Sequence, residues 1–475
     1  MNILQSTGSA PDYIPPPPLS PDQIVCGPRY PERRRGDRVL SLATATGEWD
    51  AAALVARLPA EQRPDLFIVR ADSVGENLPR NLAAFGGQKV LVIGDTHHRI
   101  HPISRMLAYA RSEPFDAIIF DYTRQHAHYF LEAGLERVYW LPGFNVARIA
   151  IDPGRGTEIP IGFVGAVGSL HPRRQALCEA LRAAGLPLHL ARADHRETRA
   201  LHARSRISLN CSLNGDLNLR VFEVLASGGF LLTDRLGAEA GLDLLFAEGE
   251  HLALYDGIED CIAQCRAFLA DPARARGIAA AGQAAYEAGF APERIAGDFF
   301  ALLRDGTVRL EFDLAHDARR RLAPPPGGEA LLARIRLYEI MQELHRRHER
   351  MALLASPGVD PRLLADLADL PRLDIAVAGE SGGPDLAQLL ETVRLCGLER
   401  RIRVIAPTAL EALQPTVIAL TAAECAAPRV TAMSARWSRS LLLVTDLAAD
   451  AATPSALAAR GYRRLAATVP LFGRG

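Results

Sequence analysis

The stretch ISLNCSLNGDLNLRVFEVLASGGFLLTD, residues 207–234, decides the fold of this chain. A short apolar strand at Ile207–Leu209 leads into a polar loop, and a helix carrying Arg220 and Glu223 follows. A pair of glycines and a second apolar strand, Phe230–Thr233, complete the unit. Two buried strands joined through a helix predict part of a parallel, doubly wound α/β sheet.

The helix of this unit also indicates a ligand. Arg220 and Glu223 are three residues apart, so they share one face of the helix near its N-terminus. Free backbone N–H groups and an arginine at that position suit a diphosphate. A glutamate one turn further along can accept two hydrogen bonds from a ribose diol. We therefore predict a nucleotide-sugar site.

Composition limits the classes of protein to be considered. A chain of 475 residues is expected to form two or three domains. Its 54 basic and 55 acidic residues give no electrostatic case for nucleic acid or an anionic membrane as partner. No apolar run reaches a membrane-spanning length, and the N-terminus lacks the order of a signal peptide. Seven cysteines without metal-ligand spacing predict reduced thiols and a cytoplasmic location.

The first two thirds of the chain divide into an N-terminal segment and two predicted domains, with a hinge where the two domains meet. Residues 1–37 are interrupted repeatedly by proline, and we expect them to be irregular. Residues 38–150 alternate apolar strands with helices, which predicts a first Rossmann-like domain. Residues 142–160, rich in glycine and proline, read as a hinge. Residues 151–322 repeat the alternation and predict a second Rossmann-like domain that carries the nucleotide-sugar motif.

The remaining third contains a linker and a further domain. Residues 323–350 begin with Ala-Pro-Pro-Pro-Gly-Gly, typical of a linker, and continue as a charged helix. Residues 351–475 alternate strands and helices again, which predicts an accessory α/β domain of unknown role. Within it, residues 374–383 superficially suggest the cofactor turn of a methyltransferase. They lack the Gly-x-Gly order, so a degenerate or protein-binding module is the favoured interpretation.

A second motif opens the same predicted sheet as the Glu223 helix. The strand Ile-Gly-Phe-Val ends in Gly165, and Arg173 and Arg174 follow at the start of a helix. Glycine permits close approach of the backbone to a ligand, and either arginine could reach a phosphate. The alternative is an ordinary βα turn whose arginines face solvent.

Together the two motifs resemble the C-terminal half of the group 1 glycosyltransferases, in the spore-maturation-type branch. The resemblance covers roughly residues 85–305. The matching positions are Gly165, Arg174, Asn210, Arg220, Phe222, Glu223, Ala226 and Gly228. It implies a GT-B fold of two Rossmann-like domains with no bound metal, in which Glu223 holds the nucleotide ribose. The predicted donor-binding set is Gly165, Arg173, Arg174, Asn210, Asn218, Arg220, Glu223 and Gly228.

One departure from the family pattern concerns the donor sugar. Many group 1 members carry an earlier glutamate near the sugar, with seven residues between it and the ribose-binding glutamate. Counting back from Glu223, that position is Gly215, with Asp216 beside it. The branch resembled here often lacks the earlier glutamate, so the residue that contacts the sugar is not identified from the sequence.

The first predicted domain offers a candidate for acid–base chemistry. Asp95, His97 and His98 follow the strand Lys-Val-Leu-Val-Ile-Gly, at the end of a parallel strand where doubly wound sheets bind ligands. A histidine there can accept the proton of an acceptor hydroxyl, oriented by Asp95. The alternative is that these residues only cap the turn and the following helix.

The sequence thus predicts transfer of a sugar from a nucleoside-diphosphate donor to a glycan, lipid-linked or protein acceptor, without a metal or other cofactor. Arg220 and Arg174 would stabilise the departing diphosphate. Three alternatives remain open: a noncatalytic nucleotide-sugar binder, a methyltransferase seated in residues 351–475, and a metal-dependent phosphoesterase. The phosphoesterase would use Asp95 and His97 with Asp121, His126 and His128, although the further ligand segments of that family are missing.

Overall fold

The computed structural model describes residues 1–146, 158–322, 328–379, 383–406, 413–425, 439–446, 452–458, 462–466 and 469–474. These residues form two compact units, Met1–His316 and Asp317–Gly475. Most of the predicted hinge, residues 147–157, and most of the predicted linker, residues 323–327, lie outside the described residues.

Residues 1–146 form the first half of unit 1 around a mostly parallel sheet. Its strands are β1 (Ile3–Thr7), β2 (Ile24–Gly27), β3 (Arg33–Arg35), β4 (Arg38–Ala43), β5 (Gly47–Asp50), β6 (Leu66–Ala71), β7 (Asn77–Arg80), β8 (Gln88–Ile93), β9 (Ala117–Phe120) and β10 (Val138–Trp140). Its helices are α1 (Ala51–Ala56), α2 (Pro102–Ser112) and α3 (Ala127–Glu132). Eight of these strands pair in the order β10-β9-β8-β6-β1-β2-β4-β3, and β5 pairs separately with β7. Within the larger sheet only β3 runs antiparallel to its neighbour.

The first strand corrects the prediction that residues 1–37 are irregular. β1 lies inside the sheet between β2 and β6, and all five of its residues are buried. Its second half is polar, but Gln5 donates to the carbonyl of Pro17 and Ser6 accepts from Asn77. Polar residues followed by a run of prolines do not predict a central strand, so the first domain begins at β1 rather than at residue 38.

Residues 158–316 form the second half of unit 1 around a smaller sheet. Its strands are β11 (Ile159–Val164), β12 (Leu188–Ala191), β13 (Ser205–Leu209), β14 (Leu231–Asp234) and β15 (Ala253–Tyr255). Its helices are α4 (Pro172–Ala183), α5 (His195–Arg204), α6 (Leu219–Ala226), α7 (Leu242–Leu245), α8 (Ile258–Ala270), α9 (Pro272–Phe290) and α10 (Pro292–Asp305). The five described strands are parallel and ordered β12-β11-β13-β14-β15, which is a doubly wound arrangement.

Helix α6 shows how the quoted stretch folds. Val221, Phe222, Val224 and Leu225 are completely buried, so they fix the apolar face of the helix against the core. The opposite face, with Arg220 and Glu223, is left only partly buried. Gly228, which follows the helix with φ +67°, ends it in the left-handed conformation usual at helix C-termini.

The two halves of unit 1 are packed directly on each other. Helix α10 returns to the first half, where Phe299 packs on Phe144 with ring centroids 5.0 Å apart. Behind the cleft, buried Arg124 Nη1 donates to Glu239 Oε2 at 2.8 Å. The strands of both halves end at the cleft between them, because cavity-lining loops follow β1, β6, β8 and β11.

Unit 2 contains a third sheet. Its strands are β16 (Met351–Ala355), β17 (Leu373–Ala378), β18 (Ile402–Ile405), β19 (Val417–Leu420), β20 (Leu441–Val444), β21 (Tyr462–Ala466) and β22 (Val469–Arg474). Its helices are α11 (Gly328–His345), α12 (Pro361–Leu367), α13 (Pro384–Cys396), α14 (Ala422–Cys425) and α15 (Ala452–Ala458). The described strands are ordered β18-β17-β16-β19-β20-β22-β21, and β22 runs antiparallel to both neighbours.

The boundaries predicted around the linker need correction. The helix predicted within residues 323–350 is α11, and it packs on α12 as part of the domain core. Its buried Arg334 Nε lies 3.0 Å from the buried Asp366 Oδ2. Unit 2 therefore begins at Asp317, not at residue 351, because charged residues of the predicted helix are paired inside the domain.

The structure also shows the state of the cysteines and how apolar the helices are. All seven cysteines, each of which lies in the described part of the chain, are free and buried. Cys261 and Cys265 belong to the core of the second half. No helix in the described part of the chain combines the length and apolarity needed to cross a membrane.

Candidate active site

A cavity of about 660 Å³ lies between the two halves of unit 1. It brings together eight residues that the sequence singled out in separate motifs. They are Asp95, His97 and His98 from the first half, and Gly165, Arg174, Asn218, Arg220 and Glu223 from the second. The cavity thus joins the predicted donor and acceptor sides in one space.

Arg220 is the best-positioned cation of the cavity. Its Nη1 donates to Asn210 Oδ1 at 2.6 Å, and its guanidinium lies 4.7 Å from the ring centroid of Phe163. Burial, assisted by the nearby charge of Arg174, lowers the pKa of Arg220 to about 10. The side chain is therefore still a cation at neutral pH, oriented before any ligand arrives.

Gly165 makes room for this arginine. Its φ is +148°, and a Cβ placed on it would lie only 2.3 Å from Arg220 Nη2. Any side chain at this position would displace the guanidinium, which explains why a glycine follows β11. The glycine turn and the helix that carries Arg220 and Glu223 are therefore in contact.

Asn210 holds the guanidinium of Arg220 through a hydrogen bond. It is buried, its Nδ2 donates to Thr233 Oγ1, and its Oδ1 accepts from both Arg220 and Asn218. It does not line the cavity, so it positions Arg220 rather than contacting a ligand. Arg174 Nε, in turn, donates to the carbonyl of Cys211 at 2.9 Å, which fixes that second arginine at the cavity wall.

Two residues of the predicted donor set lie elsewhere. Arg173 is buried away from the cavity, near Asp234, where its charge opposes the rise in the pKa of that carboxyl caused by burial. Gly228 ends α6 at its far end, on the side away from Arg220. Consecutive residues at a helix start point in different directions, so only one of Arg173 and Arg174 can face the cavity.

The acceptor side is built on the loop after β8. His98 Nδ1 lies 3.1 Å from Asp95 Oδ2, and Ser73 Oγ donates to Asp95 Oδ1 at 2.8 Å. Burial alone would raise the pKa of Asp95, but His97 and His98 outweigh it and the pKa is lowered. Asp95 is therefore a carboxylate that supports the two imidazoles.

His97 differs from His98 in its surroundings. It is only 7% exposed, and its Nδ1 has no hydrogen-bond partner among the described residues. Burial lowers the pKa of His97, although Asp216 and Asp95 oppose the shift. Its imidazole is thus neutral at pH 7 and available to accept a proton.

The sequence reasoning missed several cavity residues. Arg70 lies near the end of β6 and Asp72 follows that strand, at the same edge as Asp95, so the rule applied to β8 could have found them. Burial and the neighbouring Asp95 raise the pKa of Asp72 to about 6. Asp216 Oδ1 accepts from the backbone N–H groups of Leu213 and Asn214, which places its carboxylate at the cavity across from His97.

The residues that would complete a phosphoesterase site are engaged elsewhere. Asp121 accepts from the backbone of Gly143 and from Asn145, and both contacts are buried. The ring of His126 bonds to Thr96, and His128 pairs with Glu132 at 2.7 Å. Asp95, His97 and His98 by themselves do place ligand atoms within 4.8 Å of one another, which is close enough for one cation.

In unit 2, the loops that follow β16 and β19 contact each other at the position where a methyltransferase would hold its cofactor. In a doubly wound sheet that position lies beyond the ends of β16 and β19. There Glu424 accepts from Ser356 and Thr421, and a Cβ on Gly358 would lie 3.3 Å from Glu424 Oε1. Residues 380–382 of the predicted cofactor turn lie outside the described residues.

A comparison with known families finds a match within the second half of unit 1. Residues 173–301 match a family model described as "Glycosyl transferase-like". This segment is similar to a glycosyltransferase family, as the motifs predicted, and the two doubly wound sheets on either side of the cleft have the GT-B arrangement. No curated protein matches the chain significantly. The assignment to the spore-maturation-type branch stays a prediction.

Several solved structures are similar to part of the chain. HepE from Anabaena, solved with UDP and glucose, aligns with a TM-score of 0.45 at 11% identity, over 64% of this chain and 99% of that chain. Sucrose-phosphate synthase from Thermosynechococcus elongatus gives 0.44 at 14% identity, over 64% and 98%. A glycosyltransferase from Rickettsia africae gives 0.44 at 10% identity, over 64% and 98%.

Proposed function

We propose that the chain transfers a sugar from a nucleoside-diphosphate sugar to an acceptor hydroxyl, without a bound metal. One observation carries this proposal: two arginines and Glu223 face Asp95 and His97 across a single cavity. That arrangement offers cations for a diphosphate on one wall and a neutral base on the other. A noncatalytic binder of nucleotide sugars would not need the base.

The donor side of the cavity carries positive charge where the diphosphate would lie. As the bond between the sugar and the diphosphate breaks, negative charge grows on the leaving nucleoside diphosphate. Arg220 and Arg174 lie where they can neutralise it, and contacts of this kind typically supply about 2–4 kcal/mol each. Glu223, one turn along α6 from Arg220, is then placed to accept hydrogen bonds from the ribose.

The acceptor side completes the reaction. The acceptor oxygen forms a new bond to the anomeric carbon of the sugar, and the bond from that carbon to the diphosphate oxygen breaks. The hydroxyl proton passes to His97, and the leaving group keeps the bonding electron pair. Asp95 holds the imidazole pair in place, and Asp216 is placed to contact the donor sugar where the family glutamate is missing.

The proposal also includes the kind of acceptor and the cellular compartment. The acceptor would be a glycan, a lipid-linked molecule or a protein, and no nucleic acid is involved. Seven free, buried thiols support a reducing compartment, so we place the protein in the cytoplasm.

A thermal-shift screen tests the proposal. UDP, GDP, ADP, dTDP and S-adenosylmethionine are each added to the full chain in the presence of EDTA. We expect one nucleoside diphosphate to raise the melting temperature, because a ligand that binds only the folded state stabilises it. Stabilisation by Mn²⁺ or Zn²⁺ alone would favour the phosphoesterase, and stabilisation by S-adenosylmethionine would favour the methyltransferase.

The same screen on Glu223→Ala locates the site. The variant should bind the stabilising nucleotide roughly 10- to 150-fold more weakly, equivalent to about 1.5–3 kcal/mol for hydrogen bonds to a charged group. Glu179→Ala is the matched control, since Glu179 is exposed on α4 and does not line the cavity. Equal affinity in the Glu223 variant and the wild type would remove Glu223 from the site.

Paired glycine substitutions test the contact between Gly165 and Arg220. Gly165 and Gly168 have nearly the same positive φ, +148° and +147°, but only Gly165 has Arg220 in the way of a Cβ. Both alanine variants should lose about 1–3 kcal/mol of stability from backbone strain. Only Gly165→Ala should also weaken nucleotide binding, by roughly tenfold or more, measured by calorimetry. An equal loss of affinity in both variants would contradict the contact.

A further inference from the structure

The loop that follows β1 connects the first half of unit 1 to the second half along the cavity. We call this loop, residues 8–14, the strap. His195, the first residue of α5, donates twice to the carbonyl of Asp12, from its backbone N at 3.0 Å and from its ring Nδ1 at 2.8 Å. Three strap residues line the cavity, as does His195. The strap therefore reaches along the cavity wall to the N-terminus of α5.

The turn of the strap carries Tyr13. The backbone N of Tyr13 donates to the carbonyl of Ala10 at 3.0 Å, and Ser9 N donates to Thr7 Oγ1 at 3.1 Å, so the strap is hydrogen-bonded internally. Tyr13 is 62% exposed and lines the cavity. An exposed aromatic side chain on an open surface needs no explanation, but one that lines a cavity offers a ligand a flat face to pack on.

The proposed donor occupies the cavity in a defined order. Its sugar lies toward His97, its diphosphate at Arg220 and its ribose at Glu223, all three of which line the cavity. The nucleobase is joined to the ribose, on the side opposite the diphosphate. It therefore lies beyond Glu223, at the end of the cavity away from His97.

Helix α5 and the strap meet at that end of the cavity. Arg199 Nη1, on α5, donates to the carbonyl of Glu223 at 2.9 Å, which places this helix beside the ribose site. The strap is bonded to His195, one turn before Arg199. Burial lowers the pKa of Arg220, and the side chain of Tyr13 is near enough to oppose part of that change. Tyr13 therefore lies close to both the diphosphate site and the start of α5, along the nucleoside.

We propose that Tyr13 contacts the nucleobase of the donor, with its ring stacked on the base and the strap covering the nucleotide from the first half. The identity of the ligand as a nucleoside diphosphate rests on the proposed function. Every nucleobase has a π face, so stacking on an aromatic side chain adds affinity without selecting one base. Tyr13 thus adds affinity for the nucleoside and none for the diphosphate.

Calorimetry on the full chain with two kinds of ligand tests this contact. UDP, GDP, ADP and dTDP carry a base, and pyrophosphate does not. Tyr13→Ala should weaken the nucleotide that binds the wild type by roughly 5- to 150-fold, the range for loss of one stacked base, and leave the pyrophosphate affinity unchanged. Tyr13→Phe keeps the ring and should bind as the wild type does. Leu310→Ala is the control, since Leu310 is 75% exposed but does not line the cavity.

A second variant tests the strap itself. His195→Pro removes both hydrogen bonds to Asp12, and proline is well accepted at the first position of a helix. The preceding residue, Asp194, is extended, with a ψ of 172°, as a residue before proline should be. The variant should bind the nucleotide more weakly than the wild type. Adding it to Tyr13→Ala should cause no further loss, because the strap acts through Tyr13.

The outcomes separate this inference from the proposed function. Unchanged nucleotide affinity in Tyr13→Ala would overturn the contact, while nucleotide binding by the wild type would still support the transferase. An equal loss of pyrophosphate affinity, or an equal loss in Tyr13→Phe, would assign Tyr13 to the diphosphate and overturn the stacking. A further loss when His195→Pro is added to Tyr13→Ala would show that the strap does not act through Tyr13. If none of the nucleotides binds the wild type, the inference and the proposed function fall together.

Discussion

Replacement of Arg220 by alanine is expected to lower the rate of sugar transfer about 10²–10³-fold. The guanidinium is held before ligand binding by Asn210 and by the face of the Phe163 ring, so it needs no rearrangement as the diphosphate departs. Removing such a preoriented cation raises the barrier by about 2–4 kcal/mol. Initial rates with the nucleotide sugar identified by the thermal-shift screen measure the effect.

Two further variants separate charge from geometry at this position. Arg220→Lys keeps the charge but loses the planar fork, so it should recover only part of the rate. Arg182→Ala, on an exposed position of α4, should leave the rate unchanged. If Arg220→Ala folds as stably as the wild type and transfers sugar at an unaltered rate, Arg220 does not act on the leaving group.

Replacement of His97 by alanine should cost about 10²–10⁴-fold in rate, as expected for loss of a general base. The imidazole works only in its neutral form, and burial lowers the pKa of His97 from the usual 6.5. The wild-type rate should therefore hold steady through pH 7 and fall only at pH values below 6.5, as the ring becomes protonated. Rates measured from pH 5 to pH 9 at saturating donor give this profile.

Substitution of Asp95 refines the same prediction. Its carboxylate raises the pKa of His97, so Asp95→Asn should move the acidic fall in rate to lower pH while reducing the plateau. His189→Ala is the control, since His189 is exposed on β12 and outside the cavity. An acidic fall that stays in place when His97 is replaced would assign it to another group.

The fold was predictable where buried strands are apolar. The apolar runs predicted as strands at Ile207–Leu209 and Phe230–Thr233 correspond to β13 and β14. β1 was not predictable, because Gln5 and Ser6 become acceptable in a buried strand only through distant partners such as Asn77. Local composition cannot show such partners, and for the same reason the charged helix α11 was predicted but not assigned to the domain whose core it joins.

The candidate site was predictable as a set of motifs but not as a geometry. The spacing of Arg220 and Glu223 on one helix face is local, and both residues line the cavity. Whether Arg173 or Arg174 faces the cavity depends on how α4 is rotated on its sheet. The backbone of its own loop holds Asp216, but its interaction with His97 joins distant parts of the chain and is not visible in local sequence.

The return of α10 to the first half has a consequence for how the chain is synthesised. Phe144 lies near the end of the first half, but its aromatic partner Phe299 emerges roughly 150 residues later, about 8–30 s at ribosomal speeds. During that interval the nascent first half carries an uncovered aromatic patch, which makes it a candidate for chaperone binding. Crosslinking of chaperones to ribosome-bound chains of graded length would show whether that binding ends once α10 has emerged.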